Sequence, residues 1–95
     1  MKTAKKIDRK MRNEFAGMSG YYETKGSAVA AYDSVLNDYD LGLDCAEMRG
    51  DEGRTVVSIH EVDDNYEPCA DPVGYAYLSW YRMPSGRYEF TGYIT

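Results

Sequence analysis

His60 is the only histidine of the chain, so a nucleophile with an imidazole base, or a histidine-ligated metal, could be assembled around one position alone. No Cys-x-x-Cys, Gly-x-Ser-x-Gly, His-Glu-x-x-His or glycine-rich phosphate loop accompanies it. Ser58 lies two residues away in a strand-like run, without the sharp turn that exposes a nucleophile. Asp44 is expected opposite His60, where a carboxylate could hold the imidazole in one tautomer. General bases use that arrangement, and so do ordinary surface pairs. No catalytic residue is assigned, and the sequence reads as a protein that is not an enzyme.

Metal chemistry fares similarly. Asp63, Asn65 and Glu67 alternate, and Asp38, Asp40 and Asp44 cluster, both loosely like a calcium site. A calcium loop needs glycine at its sixth position and a bidentate glutamate at its twelfth; counted from Asp63, those positions hold Pro68 and Gly74. No metal or cofactor is expected. A carboxylate pair for glycoside hydrolysis would need a sugar cleft, for which so small a domain offers little room.

What remains is chemistry of contact. The aromatic residues are ten tyrosines against one tryptophan and two phenylalanines, and tyrosine, with an apolar body and a polar tip, suits half-buried surfaces and interfaces. The net charge of −5 is divided unevenly along the chain. Lys2, Lys5, Lys6, Arg9, Lys10 and Arg12 face only Asp8 in the first twelve residues, whereas the twelve acids from Asp33 to Asp71 are opposed by Arg49 and Arg54 alone. Such asymmetry points to partners as well as to solubility.

The elements that must present these groups can be read from pattern. Ala4, Ile7, Met11, Phe15 and Met18 recur at helical spacing, with Lys5, Lys6, Arg9, Arg12 and Asn13 opposite, so the first helix is amphipathic, with Gly17 and Gly20 supplying its stop near Met18. Tyr21, Tyr22 and Glu23 read as a connector. A second helix capped by Thr24 or Ser27 runs to about Asp38, with Ala28, Ala31, Tyr32, Val35 and Tyr39 on its stripe and Gly42 as its terminator. A first hairpin is expected over Leu43 to Arg49 and Arg54 to Val62, pairing Asp44 with His60, Ala46 with Ser58 and Met48 with Val56. Its buried face is expected to carry Leu43, Cys45, Val57 and Ile59. Asp63 to Pro72 reads as a ten-residue link that breaks the sheet.

The final hairpin is specified most closely. In Met83-Pro84-Ser85-Gly86, proline presets φ and Gly86 can adopt the left-handed conformation that closes a bulged type I turn. Counting back from that turn puts Trp80 opposite Phe90, Leu78 opposite Gly92 and Ala76 opposite Ile94 on one face. Tyr81 opposite Glu89, Ser79 opposite Thr91 and Tyr77 opposite Tyr93 fall on the other. Residues 1–95 then form one α+β domain, with two N-terminal helices packed on a four-stranded antiparallel β-meander in the order α-α-β-β-β-β.

The chain has no run long enough to span a bilayer, no apolar leader before the first helix and two cysteines without metal spacing, which gives the expectation of a cytoplasmic protein with no membrane partner. Function is read as protein binding, in the manner of a phage or mobile-element inhibitor of the anti-CRISPR or anti-restriction type. Its acidic surface would compete for the nucleic-acid groove of a basic host protein. The residues expected to make that contact are Asp33, Asp38, Asp40, Asp51, Glu52, Asp63, Asp64 and Glu67, with Tyr75, Tyr77, Tyr81 and Tyr93. The alternative is a small nucleic-acid-binding or regulatory protein using the basic first helix and the tyrosine platform; a small enzyme is third.

Overall fold

The structure, a computed structural model of the chain, describes residues 7–44, 47–62 and 68–95, with side chains given except at 68–70. Two helices and five strands follow in the order α1 (Arg9–Ala16), β1 (Gly20–Tyr22), α2 (Lys25–Asn37), β2 (Leu41–Leu43), β3 (Glu52–Val62), β4 (Pro68–Arg82) and β5 (Tyr88–Ile94). The strands form one antiparallel sheet in the order β1-β5-β4-β3-β2. The α+β class is as expected, but the sheet has five strands and the order is α-β-α-β-β-β-β. The missed strand is Gly20–Tyr22, read above as a connector. It pairs Gly20 with Phe90, Tyr21 with Glu89 and Tyr22 with Tyr88.

Both helices begin at side-chain caps. Asp8 accepts from Met11 N at 2.8 Å, and Thr24 accepts from Ser27 N at 3.0 Å, each satisfying a first-turn amide that has no intrahelical partner. The apolar stripes of the two helices then meet the sheet. Met11 and Phe15 from α1, and Ala28, Tyr32, Val35 and Leu36 from α2, are buried with Leu41, Val57, Ile59, Ala76, Leu78, Trp80, Phe90 and Ile94. All these strand residues lie on one face, so both helices cover that face. The Tyr32 ring packs on Phe15 at 4.6 Å between centroids, and its hydroxyl lies 3.3 Å from Ser19 Oγ. Burial raises the Tyr32 phenol above its ordinary pKa, against the lowering effect of the Ser19 hydrogen bond.

The final hairpin has the register expected of it, with Trp80 opposite Phe90, Tyr77 opposite Tyr93 and Ala76 opposite Ile94. Met83 N donates to Arg87 O at 2.7 Å and Gly86 N to Met83 O at 2.8 Å, and Gly86 has φ of 93°. A side chain at Gly86 would meet nothing within 4 Å, so the cost of Gly86→Ala is backbone strain alone. That substitution should lower unfolding stability by about 1 to 2 kcal/mol in urea melts, the usual penalty for a Cβ in the left-handed region; an unchanged midpoint would count against this turn.

The first hairpin differs from expectation. β2 has three residues and pairs Leu41 with Glu61, Gly42 with His60 and Leu43 with Ile59, a two-residue shift that separates Asp44 from His60. A shift of two preserves the faces, so Val57 and Ile59 are buried and Leu43 is half-buried as expected. Cys45, Ala46, Ala4, Lys5 and Lys6 lie outside the described residues. The reason for the shift is nonlocal: Glu47 to Asp51 is no strand. Gly50, with φ of 79°, directs its carbonyl at Trp80 Nε1 (3.2 Å) and Lys25 Nζ (2.9 Å), and Lys25 also donates to Met48 O at 2.8 Å.

Two further readings are corrected. The α2 terminus turns at Asp40, with φ of 58°, and not at Gly42. Gly42 instead lies in β2, where a Cβ would stand 2.9 Å from Val62 Cγ1. The expected ten-residue link is strand from Pro68 onward, pairing Val62 with Pro68 and His60 with Pro72 across register shifts. β5 reaches only to Ala76 in its pairing, so this part of β4 runs along a sheet margin. Proline is tolerated at edges and irregularities because a missing ladder donor leaves no central hydrogen bond unmade.

Candidate interaction surface

The face of the sheet opposite the helices is uncovered by any described element. Strand alternation places the even residues of β3 and the odd residues of β1, β4 and β5 there, so the side chains can be followed across the strands row by row. One row runs Tyr21, Glu89, Tyr81, Glu52 through direct pairings of β1 with β5, β5 with β4, and β4 with β3. The next runs Thr91, Ser79, Arg54, and the third Tyr93, Tyr77, Val56. Tyr75, opposite Ser58, begins the fourth. Aromatic rows thus alternate with a polar one.

The apolar groups of this face are open to solvent, with exposures of 59% for Tyr21, 52% for Val56, 47% for Tyr75, 37% for Tyr77, 51% for Tyr81 and 52% for Tyr93. The Tyr77 and Tyr93 rings stack at 5.2 Å and 8°, an arrangement that orders both without hiding them. Beside them is a shallow hollow of about 430 Å³, bordered by Arg54, Val56, Ser79 and the same two rings. An exposed apolar group of this extent with polar neighbours is characteristic of contact surfaces.

The four tyrosines singled out from the sequence, Tyr75, Tyr77, Tyr81 and Tyr93, share this face. Tyr21 and Val56 were missed. Tyr21 needed β1 to be seen as a strand, and Val56 needed the β3–β4 register that sets it opposite Tyr77.

Among the described residues, the predicted acids are not gathered in one patch. Asp51 and Glu52 stand at the start of β3, while the backbone carbonyl of Asp40 accepts from Val62 N at its end, about 30 Å away at strand rise. Asp38 caps the C-terminus of α2 near Asp40. Asp33 is engaged within the fold: it is half-buried and its Oδ1 accepts from Leu43 N at 2.9 Å, tying β2 to α2. Asp51 lies 3.6 Å from Arg82 Nη1. Asp63, Asp64 and Glu67 lie outside the described residues. Glu89 was not among the expected contact residues, yet it stands between Tyr21 and Tyr81 on the tyrosine face.

Ser58 Oγ is 2.7 Å from His60 Nε2, and His60 is buried at 7% exposure. The pair runs along one strand, and its geometry is that of a satisfied buried polar group. Among the described residues no group of three or more His, Cys, Asp or Glu side chains could hold a metal ion. No helix is long and apolar enough to cross a membrane.

The exposed basic side of α1 carries Arg9, Lys10 and Arg12, none of them in an ion pair with another described residue. Because α1 packs on the buried face of the sheet, these cations and the tyrosine face belong to opposite sides of the molecule. Comparison with protein-family models, with curated proteins and with solved structures found no match to this chain.

Proposed function

We propose that the protein is a non-enzymatic binding module that acts by occupying a basic, nucleic-acid-binding protein of a host cell, as an anti-CRISPR or anti-restriction inhibitor does. The observation that carries this reading is the open tyrosine face. Six large apolar side chains stand exposed on a rigid sheet, and tyrosine gives large contact area for little lost side-chain freedom. Carboxylates at Asp51, Glu52 and Glu89 border or interrupt that face, so the matching surface is a cationic one. The second group, Asp38 and Asp40, lies about 30 Å along β3 and would reach cations outside the central contact.

The alternative, direct binding of nucleic acid by the basic helix and the tyrosine platform together, requires one strand to touch both sides of the sheet. The tyrosine face itself presents two carboxylates against Arg54, an unfavourable field for a polyanion.

The test is capture of a bacterial partner on the immobilised protein, followed by competition for that partner's own nucleic acid. Tyr77→Ala with Tyr93→Ala should weaken capture by about 2 kcal/mol or more, the scale of an aromatic hot spot. Reversing Asp51 and Glu52 to lysine should weaken it further, with a steep salt dependence. Removing Arg9 and Arg12 should matter little. Direct binding of duplex or single-stranded DNA by the purified chain at physiological salt would overturn the proposal.

A further inference from the structure

We infer that the row Tyr21, Glu89, Tyr81, Glu52 is an arginine-recognition site, in which a guanidinium from a partner protein lies on the Tyr81 ring with a carboxylate on each side. This rests on the protein-binding reading above and adds the chemistry of its anchor.

The register supplies the geometry. Tyr81 on β4 is directly opposite Glu89 on β5 and Glu52 on β3, so each carboxylate stem starts about 5 Å from that of the tyrosine. The two carboxylates therefore flank a ring whose side chain is 51% exposed.

Charge complementarity supplies the occupant. Neither Glu52 nor Glu89 forms an ion pair or side-chain hydrogen bond with another described residue. The cations nearest in the chain are drawn elsewhere: Arg82 to Asp51 at 3.6 Å, and Arg87 to Glu23 at 3.0 Å. Arg54 shares the face but stands one row away, about 7 Å along β3, and contacts neither carboxylate within ion-pair distance. The fold thus keeps two carboxylates on either side of one aromatic ring, with no cation of the described residues paired to either.

Arginine fits this better than lysine. Its planar guanidinium can stack on a tyrosine ring while its donors point sideways to two acceptors, and it is more weakly hydrated than an ammonium. The carboxylate stems are two strand spacings apart, about 10 Å, a gap that a stacked guanidinium can bridge with a hydrogen bond at each edge.

The experiment is titration of the isotope-labelled full chain with a blocked hexa-arginine peptide and, separately, with hexa-lysine, following backbone amide shifts. Saturable shifts centred on Tyr81, Glu89 and Glu52 are expected, with the arginine peptide bound about fivefold more tightly than the lysine peptide. Tyr81→Leu, which keeps apolar bulk and strand propensity, should abolish that preference, and Tyr81→Phe should retain it. Glu52→Gln with Glu89→Gln should weaken binding of the arginine peptide about tenfold.

Equal affinity for the two peptides with no effect of Tyr81→Leu would overturn the inference, as would shifts centred on Asp38 and Asp40. So would self-association that Tyr81→Leu abolishes, since the occupant would then be a second copy of the chain. If the peptide preference is absent but Tyr77→Ala with Tyr93→Ala still abolishes partner capture, the arginine site alone is lost and the binding module stands. If both fail, both fall.

Discussion

Trp80→Ala should destabilise the domain by about 3 to 5 kcal/mol, the range for removing a buried large aromatic, and in a domain of this size that is enough to leave a substantial unfolded fraction at room temperature. Three connections meet at this side chain. Its ring stacks near Phe90 at 6.3 Å, its indole N–H reaches Gly50 O at 3.2 Å, and it lies so close over Gly53 that a Cβ there would be 2.8 Å from Cζ2. Truncation opens a cavity between sheet and helices and also loosens the segment from Glu47 to Asp51, whose other ties include Lys25, the packing of Met48 on the core, and both the backbone bond from Arg82 N to Asp51 O at 2.6 Å and the Arg82–Asp51 ion pair. Chemical denaturation followed by near-ultraviolet dichroism of the remaining aromatic residues measures the loss. A change under 1 kcal/mol would mean that Trp80 is not the centre of the core.

The second large effect is expected at Gly92, from adding atoms and not removing them. A Cβ at this position would stand 2.7 Å from the Tyr32 ring and 2.9 Å from Leu78 Cδ2. Tyr32 cannot retreat: it is fully buried, packed on Phe15 and placed 3.3 Å from Ser19 Oγ. Gly92→Ala should therefore cost about 1 to 3 kcal/mol by overpacking. Gly74→Ala is the control. Its Cβ would also collide, but with the terminal methyl of half-buried Ile7, which can rotate away, so the loss should stay below about 1 kcal/mol. Thermal melts of the two variants side by side would show a clear gap; similar midpoints would mean that the Tyr32 pocket yields as easily as the tip of Ile7.

The contrast between the two hairpins shows what a sequence makes legible. The β4–β5 register follows from four adjacent residues, because Pro84 and Gly86 define a turn and every pair is counted from it. The β2–β3 register could not be counted from Gly50 to Gly53 in the same way, because Gly50 is held by Trp80, thirty positions on. No local pattern records such a contact. β1 posed the same difficulty, since its partner strand is distant in the chain and three residues carry too short an alternation to stand out. The prolines of the expected link were read as breakers, which holds for a central strand and fails along a margin.

At the surface, the alternation of Tyr75, Tyr77, Tyr81 and Tyr93 was visible from the final hairpin alone. Which acids accompany them was not. Glu52 joins Tyr81 only through the β3–β4 register, and among the described acids Asp51 and Asp40 lie at opposite ends of β3, with Asp33 turned inward to Leu43 N.

The pairing of β1 with β5 has a consequence for how the molecule is made. Ser19 Oγ accepts from Gly92 N across 73 positions of chain, so this junction must wait for β5 to be synthesised. At ordinary translation rates that interval is about 4 to 15 s. Through it, Met11 and Phe15 on α1 have no completed sheet to cover them, and they stay open to a chaperone or an aggregating neighbour. Late, long-range closure of this kind also slows folding relative to a helical protein of equal length. The strand of three residues is thus a small part of the structure and a late step in its assembly.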